Sequence, residues 1–300
     1  MSVRVTVSVL ICTYNRHDLL DTVIRSIVEG CDEKPDELVV VNGGDERTDE
    51  VVNRYVGTGS VEVRLIRTVN VNLANSRNIG LAECRGDVVA MTDDDAEVFP
   101  DWIRRIRETF RGNPGAGAVG GRVIGTNTES LVGKVADAIT FPGWDEAGDV
   151  RTLPGVNIAY RREALTKIGK QDITLFRGED VDFNWRVIQA GYTIRFDPII
   201  GVYHTHRPTM KGFLNQHYMY GRAYVLVRRK WPEMYCVYPR GIRCFRDILK
   251  GGHFFVGALY QPLVHMKRIP GVWDSLRALP LLYSAAVAWR WGMIKQGMAS

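Results

Sequence analysis

Cysteine is scarce in this sequence, and its spacing does not suggest a metal site. The 300 residues include five cysteines, an odd number, and none forms a Cys-x-x-Cys pair. Neither a disulfide framework nor a zinc site is therefore indicated, and a reducing cytoplasm is the expected compartment. The N-terminal residues alternate like a β-strand and show no small-residue cleavage site after a long apolar core. We interpret them as a first strand, and no signal peptide is predicted.

Long apolar runs are also missing. The two most apolar C-terminal stretches, residues 253–266 and 276–293, fall short of the roughly 18 uncharged residues that a membrane span needs. Pro262 and Pro280 are expected to interrupt them. The sequence consequently predicts no membrane-spanning helix.

Acidic residues are few in the last third of the chain. Residues 201–300 contain 15 Lys and Arg against 3 Asp and Glu, whereas residues 1–200 contain 24 against 31. An acidic part of this kind is typical of an enzyme, and a basic tail is typical of a docking surface. The basic residues that precede its apolar runs are Arg240, Arg243, Arg246 and Lys250.

The basic tail also contains aromatic residues in short amphipathic helices. This combination indicates a peripheral anchor on an anionic membrane surface, at the inner, cytoplasmic face. A helical pack that closes the catalytic domain and a homodimer surface remain alternatives. No nucleic-acid-binding module is recognisable, so no nucleic-acid partner is expected.

Strand and helix patterns alternate regularly along the first half of the chain. Apolar, β-branched runs at residues 5–11, 37–41, 61–67 and 88–91 are separated by helical patterns at 19–28, 49–56 and 72–84. This order predicts a doubly wound, mostly parallel α/β sheet of the Rossmann-like kind. We expect a catalytic domain over residues 1–206 and a helical extension over residues 207–300. Residues 126–151 have a weaker pattern and are expected to form a mobile loop, a candidate acceptor lid.

Three consecutive aspartates follow the apolar strand pattern at residues 88–91. Asp93, Asp94 and Asp95 crowd three carboxylates at a strand end, which is unfavourable unless a cation is shared there. The carboxyl ends of strands are also where open α/β sheets bind ligands. Because alternate residues of an extended chain point the same way, Asp93 and Asp95 are expected to converge on one metal while Asp94 points elsewhere. Oxygen ligands suit Mg2+ or Mn2+, although an isolated triplet is also compatible with a polar turn.

A second acidic group opens a predicted helix. Glu179 and Asp180 lie in its first turn, where the positive end of the helix favours a negative charge. An ionised carboxylate can accept a proton, which makes Asp180 a candidate general base. The alternative is a pair of acids that only stabilises its own helix. Further along, His204 and His206 share one face if the chain is extended, either as metal ligands or as surface residues.

Seven short motifs occur in order along the first two thirds of the chain. They are Cys-Thr-Tyr-Asn-Arg at 12–16, Val-Val-Val-Asn-Gly-Gly at 39–44, Asn-Ser-Arg-Asn-Ile-Gly at 75–80, Gly-Asp-Val-Val-Ala-Met-Thr-Asp-Asp-Asp at 86–95, Pro-Gly-Val-Asn-Ile-Ala-Tyr-Arg-Arg at 154–162, Gly-Glu-Asp-Val-Asp-Phe at 178–183 and Tyr-His at 203–204. Together they resemble the inverting family 2 glycosyltransferases, which have the GT-A nucleotide-sugar fold. Each motif alone is weak, but their order makes the resemblance specific.

The resemblance implies a donor site for a nucleoside-diphosphate sugar. Thr13, Tyr14 and Arg77 would line the nucleotide pocket, with Arg77 near the base or the diphosphate. Asp93 and Asp94 would lie on the same donor side, with Asp93 near the nucleotide sugar.

The resemblance also implies a metal site and an acceptor site. Asp95 would ligate an Mn2+ or Mg2+ ion that bridges the diphosphate, and a histidine in the place of His204 completes this metal site in some members. Asp180 would be the general base that deprotonates the acceptor hydroxyl. Glu179 and Asn157 would shape the acceptor side.

The expected activity is metal-dependent, inverting glycosyl transfer to a hydroxyl of a glycolipid, a lipid-linked sugar or a cell-envelope polysaccharide. The chain departs from the family at Asn42, because members usually have Asp there to hold the nucleobase. An amide still forms hydrogen bonds but carries no charge, so the identity of the base is left open. A nucleotidyltransferase is one alternative, since its sheet also ends in metal-binding aspartates. A catalytically silent sugar-nucleotide or membrane-docking module is the other, motivated by Asn42.

Overall fold

The structure of the chain is a computed structural model that describes residues 4–234 and 245–299. The chain divides into two compact units, Met1–Ile124 with Pro142–Thr205 and Gly125–Phe141 with His206–Ser300, as far as they are described. Of the basic residues predicted for docking, Arg240, Arg243 and the side chain of Arg246 lie outside the described part.

The first unit contains a nine-stranded sheet whose central strands are runs of β-branched residues. In chain order the strands are β1 Val7–Thr13, β2 Glu37–Asn42, β3 Glu62–Arg67, β4 Val88–Asp93, β5 Ala96–Val98, β6 Ala116–Gly125, β7 Gly148–Asp149, β8 Asn157–Arg161 and β9 Thr193–His204. β1, β2 and β4 are buried along almost their whole length, as expected for strands covered by helices on both faces.

The helices lie in both units, and several begin at a side-chain cap. They are α1 His17–Arg25 with a π-helical turn Ser26–Gly30, α2 Glu46–Asn53, α3 Leu73–Glu83, α4 Trp102–Gly112, α5 Leu131–Thr140, α6 Arg162–Ile168, α7 Glu179–Gln189, α8 Met210–Lys230, α9 Phe245–Met266 and α10 Val272–Met298. Asp45, Asn72, Ser130 and Thr209 each accept a hydrogen bond from a backbone N–H in the first turn of their helix. Such caps satisfy donors that would otherwise lack a partner.

The strand order of the sheet is β3-β2-β1-β4-β8-β6-β9-β5, with β7 paired to β9. β3, β2, β1 and β4 are parallel, while β8 pairs antiparallel with β4 and β6, and β9 pairs antiparallel with β5 and β7. The chain winds outward from β1 to β2 and β3 on one side and returns to β4 on the other. A topological switch point therefore lies between β1 and β4, which is where open α/β sheets bind ligands.

Two expectations about the segments outside the parallel strands are wrong. Residues 126–151 are not a plain loop, because they contain α5, whose Val135 is buried against Phe213 of α8. The helix has small apolar residues and a glycine, so its sequence pattern is weak. Pro262 and Pro280 do not interrupt their helices, since α9 and α10 continue through them. Within the described ranges, none of the helices has both the length and the mean hydropathy needed to cross a membrane.

In the second unit, the backbones of α8 and α10 approach each other at two glycines. A Cβ atom on Gly221 would lie 1.8 Å from the carbonyl oxygen of Trp289, and one on Gly292 would lie 2.0 Å from that of Tyr218. Both distances are far shorter than a van der Waals contact. The neighbouring atoms belong to the backbone, so they cannot rotate away as a side chain could. The helix pair therefore depends on the missing side chains at these positions.

We predict that Gly292→Ala lowers the free energy of unfolding by about 1–3 kcal/mol or more, because the added methyl group overpacks against backbone. Gly297→Ala is the matched control on α10, since a Cβ there meets no atom within 4 Å. The control is expected to be neutral or stabilising by up to about 1 kcal/mol, the helix propensity difference between the two residues. Urea denaturation of both variants measures the effect, and equal midpoints would contradict the close crossing.

Candidate functional site

The ends of β1 and β4 bring polar side chains to the switch point. β1 ends at Thr13 and β4 ends at Asp93, and Cys12 pairs with Asp93 in parallel register. Asp94 and Asp95 form the turn that leads into β5, and β5 pairs with the end of β9, where His204 lies. Two adjacent parallel strands and an antiparallel strand thus place the aspartates at one edge of the sheet.

Arg77 of α3 connects this edge to the start of α7. Its guanidinium donates one hydrogen bond of 3.0 Å to Oδ1 of Asp93 and another of 3.0 Å to Oε1 of Glu179. The arginine is 4% exposed, and its ion pair with Glu179 is shielded from water, whereas the Asp93 side chain is 33% exposed. A Cβ atom on Gly155 would lie 2.7 Å from both terminal guanidinium nitrogens, so the glycine leaves room for the arginine in this position.

A second arginine, Arg16, holds the other two aspartates. Its Nη1 donates a hydrogen bond of 3.0 Å to Oδ1 of Asp94 and also contacts Oδ2 of Asp95. Oδ2 of Asp94 accepts a hydrogen bond of 2.8 Å from the Thr13 hydroxyl. Burial raises the pKa of Asp94 to about 6, and the positive charge of Arg16 limits the rise.

The predicted convergence of Asp93 and Asp95 is therefore not seen. Asp93 contacts Arg77, whereas Asp94 and Asp95 share Arg16. The alternation of side chains holds only while the chain is extended, and β4 ends at Asp93. The turn that follows brings Asp94 and Asp95 to the same partner.

Asp95 and His204 form the pair with the chemistry of a metal site. Oδ1 of Asp95 lies 3.4 Å from Nε2 of His204, while its Oδ2 faces Arg16. In residues 4–234 and 245–299, no group of three or more His, Cys, Asp or Glu side chains is arranged to hold a metal ion. One carboxylate and one imidazole fit a Mn2+ or Mg2+ ion that takes its other ligands from a diphosphate and water.

The first turn of α7 presents two adjacent carboxylates in different surroundings. Asp180 is partly exposed; its Oδ2 accepts a hydrogen bond of 3.1 Å from the N–H of Gly155, and its Oδ1 accepts one of 2.8 Å from the N–H of Val181. Glu179 is buried, and burial followed by the charge of Asp180 raises its pKa to about 7, against the lowering effect of Arg77. Gly178 begins the helix with a φ of 81°, a left-handed conformation that favours glycine.

Two predicted site residues use their amide groups within the fold. Asn42 donates hydrogen bonds to the carbonyl of Asp45 and to Oδ1 of Asp49, and accepts one from the N–H of Gly44. Asn157 is 0% exposed; it donates to two backbone carbonyls and accepts a bond from the indole of Trp102. Both NH2 groups donate two hydrogen bonds and both amide oxygens accept one within the fold, which favours a positioning role over direct substrate binding.

Tyr14 differs from the other predicted residues in its exposure. The residue is 53% exposed, next to the buried Thr13 at the end of β1. An exposed aromatic ring at a strand carboxyl end is available to stack on a planar ligand.

Arg16 and Gly155 are site residues to which the sequence had assigned no role. Arg16 ends the Cys-Thr-Tyr-Asn-Arg motif and Gly155 lies in the Pro-Gly-Val-Asn motif, so both were inside matched segments. The excess of carboxylates was the available signal for Arg16, because three adjacent acids need a positive partner. The signal for Gly155 was absent, since its function depends on where Arg77 comes to lie.

Comparisons with known proteins identify related sequences and a similar structure. The model for "Glycosyl transferase family 2" matches residues 8–169. The glucosyl-dolichyl phosphate glucuronosyltransferase of Haloferax volcanii is 32% identical over 189 residues, 58% of each chain. The succinoglycan biosynthesis protein ExoM of Rhizobium meliloti is 30% identical over 196 residues, 63% of each. The chain thus spans about three fifths of the length of these two relatives.

Among solved structures, the mannosyltransferase PcManGT from Pyrobaculum calidifontis, in complex with GDP-Man and Mn2+, has a TM-score of 0.68. The two are 16% identical, and the match covers 98% of this chain and 88% of that one. At this identity the likeness shows the fold alone. The predicted GT-A fold, with its α/β sheet and C-terminal helices, is confirmed.

The raised pKa of Glu179 predicts a pH-dependent difference in stability between the wild type and Glu179→Gln. Since the folded protein binds this proton more tightly than the unfolded chain, the contribution of Glu179 is full below its ordinary pKa of 4.5 and is lost as pH rises through about 7. Across that window the variant should gain stability relative to the wild type, by at most about 1.4 kcal/mol per pH unit. Urea denaturation at a series of pH values measures the difference in the free energy of unfolding between the variant and the wild type.

Glu163→Gln is the control for this prediction. Glu163 also lies in the first turn of a helix, α6, but is exposed. The plot of the free energy of unfolding of Glu163→Gln against pH should run parallel to that of the wild type. If the Glu179→Gln curve is parallel as well, Glu179 does not bind a proton differently in the folded state.

Proposed function

Since the chain belongs to glycosyl transferase family 2, we propose that it transfers a sugar from a nucleoside-diphosphate sugar to an acceptor hydroxyl, with inversion at the anomeric carbon. The observation that carries the proposal is the double ion pair of Arg77. It links Asp93, on the proposed donor side, to Glu179, the neighbour of the proposed base Asp180. One sugar ring would therefore be able to contact both Asp93 on the donor side and Asp180 on the acceptor side.

The proposed donor site is the edge where β1 and β4 end. The exposed ring of Tyr14 would stack on the nucleobase, while Thr13 and Asp94 fix the end of the strand beneath it. Arg77 would supply positive charge beside the diphosphate, and Asp93, held by Arg77, would contact the sugar-bearing part of the donor. Asn42 would act through the turn that it closes after β2, and not by direct contact with the base.

Asp95 and His204 would hold a divalent cation, Mn2+ or Mg2+, at this edge. Bound there, such an ion neutralises charge that develops on the departing diphosphate. Asp95 offers Oδ1 on the side of His204, and Arg16 contacts its other oxygen. Arg16 would thereby orient the carboxylate toward its proposed ligand position.

Asp180 would accept the proton of the acceptor hydroxyl. It is the more exposed of two adjacent carboxylates, and its oxygens are held by the N–H groups of Gly155 and Val181. Glu179 has a pKa raised to about 7, so it holds a proton more readily than an ordinary glutamate. Neighbouring carboxyl groups in unequal environments can take different roles. Here Glu179 would hold a proton, and Asp180 would accept the one that the acceptor hydroxyl loses. Asn157 would shape the acceptor side through the strands that it joins.

The proposed acceptor is a lipid-linked sugar, a glycolipid or a cell-envelope polysaccharide, and the proposed location is the inner face of an anionic membrane. One relative is named for a dolichyl phosphate sugar and another for succinoglycan biosynthesis. In this chain, α9 exposes a stripe of large apolar residues. They are Phe255, Val256, Leu259, Tyr260, Leu263 and Val264. Basic side chains at Lys250, Lys267 and Arg268 flank the stripe, which suits an anionic interface.

We predict that Asp180→Asn reduces glycosyl transfer by about 10²–10⁴-fold, the usual contribution of a general base, and leaves nucleotide binding intact. Asp95→Asn should instead weaken Mn2+-dependent nucleotide binding, because it removes a charged ligand oxygen. Turnover with nucleotide-sugar donors and calorimetric titration of nucleoside diphosphate with Mn2+ measure the two effects.

Asp18→Asn is the control for both variants, since the side chain of Asp18 is 94% exposed. It should match the wild type in both assays. Unchanged turnover in Asp180→Asn would remove this residue from the mechanism. Release of pyrophosphate by the wild type would indicate a nucleotidyltransferase, and nucleotide binding without turnover would indicate a silent module.

For the membrane proposal, we predict that wild-type protein floats with phosphatidylglycerol vesicles in a salt-sensitive manner. The triple variant Phe255→Glu, Leu259→Glu, Leu263→Glu should lose flotation, because charges enter the stripe at three residues spaced by four along α9. Val56→Glu with Val69→Glu is the control, since both are exposed apolar residues of the first unit. Equal flotation of the triple variant would contradict the proposal. A wild-type dimer that the triple variant cannot form would assign the stripe to self-association.

A further inference from the structure

The second unit contains a partly open cavity that the proposed glycosyl transfer does not use. It has a volume of about 260 Å3 and is lined by residues of α5, α8, α9 and α10. Ligand pockets in proteins begin at about 300 Å3, so this cavity matches a small ligand or part of a larger one. Its walls are apolar at Ile139, Pro262, Leu282 and Trp289.

Three polar side chains that line this cavity have buried atoms without a hydrogen-bond partner. These atoms are Nε2 of His217, Nδ1 of His265 and Oγ1 of Thr140. His217 is 8% exposed, and its ring packs edge-on against Phe213 at a centroid distance of 4.5 Å. An unsatisfied buried polar atom is unfavourable, so three at one cavity indicate that something else supplies their partners.

The lining carries positive charge and no acid. Arg290 is the one formally charged residue that lines it, and the lining includes no Asp or Glu among the residues described. The guanidinium is buried and donates hydrogen bonds to the carbonyl oxygens of Phe254 and Ala286 and to the amide oxygen of Gln261. The guanidinium carries a formal positive charge, which favours an anion over a cation in the cavity.

The two imidazoles are suited to donate hydrogen bonds without carrying charge. Burial lowers the pKa of His217 to about 4 and also lowers that of His265. A neutral imidazole has one N–H donor, and the ring nitrogen that carries it depends on the partner. The Thr140 hydroxyl can donate as well. The cavity therefore combines three neutral donors and a guanidinium with an apolar wall.

We propose that this cavity binds an amphipathic anion, with a hydrocarbon body against the apolar wall and one phosphate or carboxylate head near His217, His265 and Thr140. Water would satisfy the three polar atoms but would leave the apolar wall without a matching partner, which a hydrocarbon body supplies. The proposal does not depend on the sugar-transfer activity, since every residue that carries it belongs to the second unit.

The test uses calorimetric titration of the full chain with three probes below their aggregation concentrations: decyl phosphate, decanol and inorganic phosphate. Decyl phosphate is expected to bind at least about tenfold more tightly than either partial probe, which corresponds to about 1.4 kcal/mol. Equal binding of inorganic phosphate would show that the apolar wall contributes nothing and would overturn the proposal. Equal binding of decanol would show that the anionic head contributes nothing and would overturn the proposal. If no probe binds, the cavity holds water only and the proposal is wrong.

Two variants test whether binding occurs in this cavity. Ala286→Phe fills it, because Ala286 lines the cavity, whereas Ala288→Phe adds the same ring to α10 at a half-buried position outside the lining. The first should weaken decyl phosphate binding by about tenfold or more, and the second should not. If both variants bind alike, the probe binds elsewhere and the proposal is wrong.

Thr140→Val provides a second test, which does not require the fold to accommodate a large side chain such as phenylalanine. It removes a buried hydroxyl that has no partner, so the free variant should melt at the same temperature as the wild type or higher. Its affinity for decyl phosphate should nevertheless fall. A lower melting temperature together with unchanged affinity would show that the hydroxyl serves the fold and not a ligand.

Discussion

The ion pairs of Arg77 with Asp93 and Glu179 are the interaction on which the arrangement of the site depends. The three residues come from α3, β4 and α7, and the two carboxylates are separated by 86 positions in the sequence. Each carboxylate would be costly in this partly buried place without the guanidinium, and the guanidinium would be costly without both. The fold therefore sets the distance between the end of β4 and the start of α7 through one shared side chain.

The same principle governs the rest of the acidic edge. Arg16 joins Asp94 to Asp95, as Arg77 joins Asp93 to Glu179, so each arginine is shared by two carboxylates. Local pairing of this kind lets an acidic strand end persist in the folded protein before any ligand arrives.

The parts of the fold that depend on local pattern were predictable from the sequence, and the parts that depend on tertiary pairing were not. The β-branched runs identified β1, β2 and β4. The predicted family is confirmed. The partners of the aspartates were not predictable, because strand alternation stops at Asp93 and the following turn decides where Asp95 points. The site roles taken from the resemblance stay predictions, and the occupied amide of Asn157 shows why composition alone could not assign them.

The amide of Asn42 has a consequence for any attempt to restore the aspartate that the family usually has there. Asn42 donates a hydrogen bond of 2.7 Å to Oδ1 of Asp49, whose other oxygen is paired with Arg67. A carboxylate in its place would face another carboxylate at that separation, which is unfavourable unless one of the two binds a proton. Residues 42 and 49 therefore form a matched pair across the turn, and a substitution of Asn42 by Asp calls for a compensating change at position 49.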